Sequence, residues 1–148
     1  MRVELDDLWS LELPGEWSPP RRRSGSRGGP ASRDDAPDGR LWTAPGRSLL
    51  VTAVRDAWRC ASELEILADL DGRLPPDPTG RIGEGGGNGV GFRAAWWYRH
   101  PPGGQPRYAL HGYSFVAGEY LETLFRGADG DDSAWAFDAW RSVRHGRS

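Results

Sequence analysis

The sequence predicts an α+β fold, in which a single twisted antiparallel β-sheet of about six to seven strands carries two packed helices. Apolar and polar residues alternate over 92–98, 107–115 and 118–126, which is the two-residue period of strands. Short turn-forming segments connect these three strands, so we expect antiparallel neighbours. Apolar residues at intervals of three and four over 57–74 and 134–144 indicate the two helices.

The first half of the chain supplies the other predicted strands. Alternating apolar residues over 3–13 indicate a first strand pair. Residues 18–39 are rich in Pro, Arg, Ser and Gly and have almost no apolar side chains, so burial cannot offset their ordering entropy, and we expect a mobile loop. Strands at 40–43 and 48–55 flank the turn-forming pair Pro45-Gly46 and predict a hairpin.

Each predicted helix has a recognisable start. Ser62 and Glu65 have the spacing of a capping box for the first helix, within a segment whose true start the sequence does not fix. The aspartates and serine of 129–133 are expected to cap the second helix, which carries an apolar stripe of Ala136, Trp140 and Val143.

Composition excludes several classes of function. The chain has 148 residues, which predicts a single domain, and its formal net charge of -2 gives no general attraction to nucleic acid. All 19 basic residues are arginines, so lysine-dependent phosphate loops and Schiff-base chemistry are impossible. The single cysteine, Cys60, cannot form an internal disulfide or a thiolate zinc site.

The sequence predicts a soluble, cytoplasmic protein. Residues 1–13 lack the basic start and apolar run of a secretion signal, and nowhere do eighteen apolar residues follow one another. We therefore expect no membrane insertion. The run of arginines at 21–23 is followed by several aspartates and has no aromatic residues between its charges, which favours a solvated segment over a nucleic-acid site.

The candidate chemical sites each have a simpler structural interpretation. The glycine-rich segment 83–91 lacks the lysine and the following helix of a phosphate-binding loop, so a hairpin loop is favoured. The aspartates of 129–132 lack the remaining ligands of a calcium loop. His111 lies on a predicted strand beside the strand of Glu119 and Glu122, where a histidine–carboxylate pair could act as a general base. We predict no cofactor and no metal.

Aromatic residues are the leading candidates for binding. Trp96 and Trp97 are adjacent on a strand, so they lie on opposite sides of the sheet, and one of them is either covered by a helix or offered to a partner. The candidate binding residues are Trp96, Trp97, Arg93, Arg99, Tyr113 and Phe115. Cover by a helix is the favoured interpretation, because tryptophan is seldom left exposed.

The order of elements resembles the small α/β sandwich family that includes the PsbP-like photosystem proteins, the bacterial DcrB proteins and the Ran-binding nuclear-import factor of yeast. The residues that carry the resemblance are 13–17, 48–52, 91–98, 108–115 and 134–143. The resemblance implies an antiparallel sheet with packed helices, in a group whose members mostly bind other proteins and rarely catalyse. The chain lacks the lipoprotein signal of the DcrB proteins and has the additional arginine-rich segment.

Two classes of function follow from the sequence. The leading one is a non-enzymatic protein-binding module, an accessory or chaperone-like factor for a secreted or membrane-associated protein, with an aromatic patch that could also be buried in a homodimer. The alternative is a small-ligand-binding protein or hydrolase, with a pocket in which His111 or Asp138 meets a second polar group.

Overall fold

The molecule consists mostly of antiparallel β-structure arranged in two sheets. The structure is a computed structural model, and it describes residues 1–5, 8–23, 39–55, 62–99, 107–128 and 133–146. The elements are β1 (Arg2–Glu4), β2 (Trp9–Glu12), β3 (Ser18–Arg23), β4 (Gly39–Ala44), β5 (Arg47–Arg55), α1 (Glu63–Arg73), β6 (Gly80–Gly85), β7 (Phe92–Tyr98), β8 (Arg107–Val116), β9 (Glu119–Ala128), α2 (Ala134–Arg141) and β10 (Arg144–His145).

The prediction of an α+β fold, with a single sheet of about six to seven strands and two helices packed on it, is wrong, because the described residues are mostly β and form two sheets. Seven strands form a large sheet in the order β3-β4-β5-β9-β8-β7-β6, while β1, β2 and β10 form a separate small sheet. The small sheet joins the two ends of the sequence, with Arg144 opposite Ser10 and His145 opposite Trp9. Alternation identifies the individual strands but not their partners, so this distant pairing could not be inferred from it.

The central meander is confirmed. Strands β7, β8 and β9 pair in sequence, and β9 then pairs with β5 along nine residues. The hairpin of β4 and β5 is also confirmed, with its turn at Pro45 and Gly46, where Gly46 has a φ of 72°. A positive φ at this position suits glycine, which has no Cβ to clash.

Part of the predicted 18–39 loop is a strand. Ser18–Arg23 forms the edge strand β3, which pairs with β4 across a register shift between Ser18 and Arg21. An edge strand needs only one row of backbone hydrogen bonds, so the prolines, which lack an N–H, are tolerated where an interior strand would exclude them. Residues 24–38 lie outside the described part of the chain.

Helix α2 is shorter than its predicted range, and residues 57–61 of the range predicted for the first helix lie outside the described part of the chain. Helix α1 begins after the N-cap Ser62, where both hydrogen bonds of the capping box with Glu65 are present. Helix α2 ends at Arg141, and the predicted helical residue Arg144 instead begins β10. Ser133 occupies the N-cap of α2 but makes no side-chain cap hydrogen bond, and the aspartates of 129–132 lie outside the described residues.

The large sheet has two differently covered faces. Its inner face packs against the small sheet and α2, where Trp9, Trp140, Leu49, Leu110 and Phe125 are at most 1% exposed. Its opposite face, called here the helix face, packs against α1 through Trp96, Tyr113 and Phe115. The molecule therefore has three layers, and each face of the large sheet has its own hydrophobic cluster.

Candidate functional site

The helix face is covered by α1 over only part of its width. On β7, Ala94, Trp96 and Tyr98 point to this face and are buried beneath α1. On β5 and β9 most described residues of the inner face are buried, whereas those of the helix face are half-buried or exposed except for Tyr120, which is buried next to α1. The part of the helix face formed by β4, β5 and β9 is therefore the more accessible part.

Three half-buried leucines lie side by side on this accessible part. Leu41 of β4 is opposite Leu50 of β5, and Leu50 is opposite Leu124 of β9. They are called here the leucine row. Continuing across the sheet, Leu124 is opposite His111 and His111 is opposite Trp96. These five residues, each opposite the next on neighbouring strands, form a single register line across the sheet. The line runs from accessible leucines to a fully buried tryptophan.

Polar residues flank the leucine row on both sides. On one side Thr43, Ser48 and Arg126 are aligned on β4, β5 and β9, and Thr43 and Arg126 are exposed. On the other side Thr52 is opposite Glu122. An apolar centre with a polar border is typical of protein–protein contact surfaces.

A groove lies between α1 and the polar residues next to the leucine row. This α1 groove has a volume of about 360 Å³ and is lined by Thr52, Val54, Leu70, Arg73, Leu74, Tyr113, Tyr120 and Glu122. The hydroxyl of Tyr113 donates a hydrogen bond of 2.6 Å to Oε2 of Glu122. Burial, followed by the nearby charge of Glu122, raises the pKa of Tyr113 well above its usual range. Tyr113 therefore stays protonated and keeps donating at neutral pH.

The predicted binding residues do not form one exposed patch. Trp96, Tyr113 and Phe115 are buried on the helix face, at 0%, 2% and 4% exposure. Trp97 lies on the inner face, half-buried against the ring of Phe137 of α2 at a centroid distance of 5.3 Å. Arg99 is exposed beyond the end of β7. The two tryptophans do lie on opposite sides of the sheet, and both sides are covered.

Arg93 has a structural role on the inner face. It is 4% exposed, and its Nη2 donates to the carbonyl oxygens of Val143 at 2.7 Å and Gly87 at 3.2 Å. Burial lowers the pKa of Arg93, and the charge of Glu84 partly opposes that effect. The guanidinium thus links the glycine-rich loop to the C-terminal segment, and it is not offered to a partner.

The glycine-rich segment packs tightly against the small sheet. The backbone N–H of His145 donates to the carbonyl of Asn88 at 2.9 Å. Gly89 has a φ of 85°, and a Cβ at this position would overlap the carbonyl oxygen of His145. Glycine is therefore required here for two reasons: the backbone has a positive φ, and another chain segment lies close to the Cα. Both reasons are structural and involve no bound phosphate.

In the structure, His111 is not directly opposite any of the carboxylates that were predicted to pair with it. His111 is partly buried on the helix face, and burial together with the charge of Arg126 lowers its pKa to about 4. Glu122 lies diagonally across the sheet from it, whereas Asp138 belongs to α2 on the other face. The close histidine–carboxylate contact is instead between Nε2 of His145 and Oε1 of Glu119, at 3.5 Å.

The His145–Glu119 contact is a packed arrangement beside Trp9. The indole nitrogen of Trp9 donates to Oε1 of Glu119 at 3.3 Å, and the Trp9 and His145 rings meet edge to face at 4.6 Å. The Trp9 hydrogen bond and the imidazole contact use the same oxygen, Oε1 of Glu119. Because Trp9 and His145 belong to the small sheet and Glu119 belongs to β9, these contacts join the small sheet to β9. Within the described ranges, no group of three or more His, Cys, Asp or Glu side chains could hold a metal ion.

Sequence reasoning missed the leucine row and the α1 groove. The alternation in β5 and β9 already indicated that Leu50 and Leu124 point to the other face of the sheet from their neighbours Leu49 and Phe125. What the sequence did not supply was the β5–β9 pairing, which brings residues more than seventy positions apart into contact. The groove depends further on where α1 packs on the sheet.

Comparison with known proteins gave no assignment. No protein-family model matches the chain, and no curated protein matches it. The resemblance to the PsbP-like and DcrB-like proteins therefore stays a prediction. In the part of the chain that the structure describes, no helix combines the length and the apolar character needed to cross a membrane.

Proposed function

We propose that the protein is a non-enzymatic protein-binding module whose contact surface is the leucine row with its polar flanks. The observation that carries this proposal is the alignment of Leu41, Leu50 and Leu124 at one register position on three adjacent strands. Single half-buried leucines are common on protein surfaces, but three at neighbouring register positions, on the part of the sheet face that α1 leaves accessible, form an apolar strip.

The dimensions of the strip suit a compact contact. Adjacent strands lie about 4.8 Å apart, so three leucines span about 10 Å, and the flanking rows widen the surface with polar groups. Thr43, Ser48 and Arg126 on one side and Thr52 and Glu122 on the other can fix the orientation of a partner by hydrogen bonds and charge. A partner with an apolar centre fits this surface.

The biological setting is part of the same proposal. We place the protein in the cytoplasm as an accessory or chaperone-like factor that covers an apolar segment of a secreted or membrane-associated protein. Support comes from the apolar strip and from the resemblance in element order. A second copy of this chain seated on the leucine row is the alternative occupant, and sizing chromatography separates the two cases.

A matched pair of variants tests the proposal. Leu50→Glu introduces a charge into the leucine row, whereas Leu64→Glu introduces the same charge on α1, where Leu64 is 79% exposed. Partners captured by the wild-type protein from its source cells would be purified and titrated against both variants. We expect at least a tenfold loss of affinity for Leu50→Glu and no change for Leu64→Glu.

Thermal unfolding and circular dichroism would show that both variants are folded. If sizing chromatography shows a wild-type dimer that Leu50→Glu converts to a monomer, the occupant is a second copy. Equal binding of a purified partner by the two variants, with no change in oligomeric state, would overturn the proposal.

A further inference from the structure

We propose that the α1 groove is a binding site for an alkylammonium group, either of a free amine or of a lysine side chain. This site shares Thr52 and Glu122 with one polar flank of the leucine row but none of the three leucines, and it goes beyond the proposed function. It is assigned from three properties of the groove: a carboxylate on its sheet side, apolar and aromatic walls, and a volume of about 360 Å³.

The carboxylate is Glu122. It is half-buried, and the Tyr113 hydroxyl holds one of its oxygens at 2.6 Å. Among the described residues no cationic group lies within 4.0 Å of Glu122, although the other carboxylates near α1 have partners: Asp69 pairs with Arg73 at 2.7 Å, and Asp71 accepts from the Trp96 indole at 3.0 Å. Glu122 is therefore a carboxylate of the groove lining that has no ion pair among the described residues.

The walls suit a cation with an apolar stem. Val54, Leu70 and Leu74 supply aliphatic surface, and the rings of Tyr113 and Tyr120 lie 6.0 Å apart at an angle of 47°. Aromatic rings attract cations through their quadrupole, and carboxylate–aromatic sites recur in the recognition of ammonium groups. Alkyl carbons would contact the aliphatic side while the charged nitrogen approaches Glu122.

The geometry favours an ammonium over a guanidinium. A guanidinium binds a carboxylate best through two parallel hydrogen bonds that use both oxygens. In this groove Oε2 of Glu122 already accepts from Tyr113, which favours a single-point contact with a compact ammonium. Arg73 also lines the groove, where its guanidinium donates to Asp69 and its charge acts on Tyr113 and Tyr120.

The volume limits the size of the ligand. At about 360 Å³ the groove lies near the lower end of small-molecule pockets, so it accommodates a short alkylammonium or one lysine side chain, not a large cofactor. The four-carbon stem of lysine matches this size.

The experiment titrates the protein with n-butylammonium chloride and follows amide chemical shifts by NMR. We expect saturable shifts at α1, β5 and β9, with affinity reduced at least tenfold in Glu122→Gln and to a smaller extent in Tyr113→Phe. Glu84→Gln is the matched control, because Glu84 binds Arg141 at the opposite face and its loss should leave butylammonium binding unchanged. Val54→Trp, which fills the groove, should abolish binding.

Further arms separate the ligand sources and the competing chemistries. Titration with Nα-acetyl-lysine amide and with a lysine-containing peptide shows whether the groove prefers a free amine or a side chain. Tighter binding of butylguanidinium than of butylammonium, saturable binding of butyrate, or equal butylammonium binding by wild type and folded Glu122→Gln would each overturn the proposal. Leu50→Glu should retain butylammonium binding, so failure of the leucine-row proposal would be seen separately.

Discussion

The two ends of the large sheet differ in how many of their faces are covered. At the closed end, strands β7 and β8 are buried on both faces, between α1 and the inner layer of small sheet and α2. At the open end, strands β4, β5 and β9 are buried mainly on the inner face and keep half-buried residues on the helix face, apart from the buried Tyr120 of β9. One continuous antiparallel sheet thus combines a fully enclosed part with an accessible part.

The length of α1 explains this difference. Its 11 residues rise about 16 Å, whereas seven strands at about 4.8 Å spacing span about 29 Å. One helix of this length cannot cover the whole face. At the closed end two polar side chains are satisfied internally, since the Trp96 indole donates to Asp71 and the Tyr98 hydroxyl donates to the carbonyl of Pro75. The closed end is therefore enclosed by two layers, and the open end leaves the leucine row accessible.

The largest effect on the free energy of unfolding is expected when one residue from each end of the sheet, both on the same register line, is replaced by alanine. Trp96→Ala should lower the free energy of unfolding by about 3–5 kcal/mol, because it leaves a large cavity and removes the partner of Asp71. Leu50→Ala, at a half-buried position, should cost about 1 kcal/mol. Urea unfolding of both variants measures the difference, and comparable losses would show that the two ends are equally important for stability.

His111 lies where the two ends meet and makes the stability depend on pH. Its pKa is about 4 in the folded protein against 6.5 ordinarily, so between these values the unfolded chain binds more protons than the folded one. The folded state should therefore lose up to about 3 kcal/mol as the pH falls from 6.5 to 4. His111→Gln should remove this part of the slope in urea unfolding measured across that range. An unchanged slope would place His111 in a more solvated environment.

Local patterns made individual elements at both ends of the large sheet predictable. Alternation gave β7, β8 and β9, the turn pair Pro45-Gly46 gave the hairpin, and Ser62 with Glu65 marked the start of α1. These features depend on residues close together in sequence, so periodicity and capping chemistry suffice.

The rest depends on distant pairings that periodicity does not encode. Strand β10 pairs with β2, and the backbone N–H of Glu12 donates to the Ser142 hydroxyl 130 positions away. The candidate site has the same origin: the leucine row needs the β5–β9 register, and the role of Arg93 needs the carbonyl of Val143. The opposite orientation of Trp96 and Trp97 was predictable, but which layer covers each of them was not.

A smaller loss of stability is expected from a substitution that tests how closely the inner layer packs on the closed end. A Cβ added at Gly112 would lie 2.5 Å from Cδ1 of Trp140 and 2.9 Å from Oγ1 of Thr123, whereas one at Gly83 has 3.9 Å to its nearest neighbour. Gly112→Ala should therefore cost about 1–3 kcal/mol through overpacking. Gly83→Ala should change stability by less than about 0.5 kcal/mol. Thermal unfolding compares the pair, and equal melting temperatures would contradict close packing of α2 at Gly112.

The smallest loss of stability is expected from removing the N-cap of α1, the helix that covers the closed end more than the open end. Ser62→Ala removes the side-chain acceptor for the Glu65 amide, a bond of 3.2 Å, and should cost about 1 kcal/mol. Ser133→Ala is the matched control, because Ser133 occupies the N-cap of α2 without a side-chain cap bond and should have almost no effect. Hydrogen exchange should quicken in α1 and in the adjoining part of β7 only for Ser62→Ala, since fraying of α1 uncovers the closed end and leaves the leucine row as it was. Faster exchange spread evenly over β4 and β5 as well would mean that α1 supports the whole sheet, and the contrast between the two ends would then not originate in its cover.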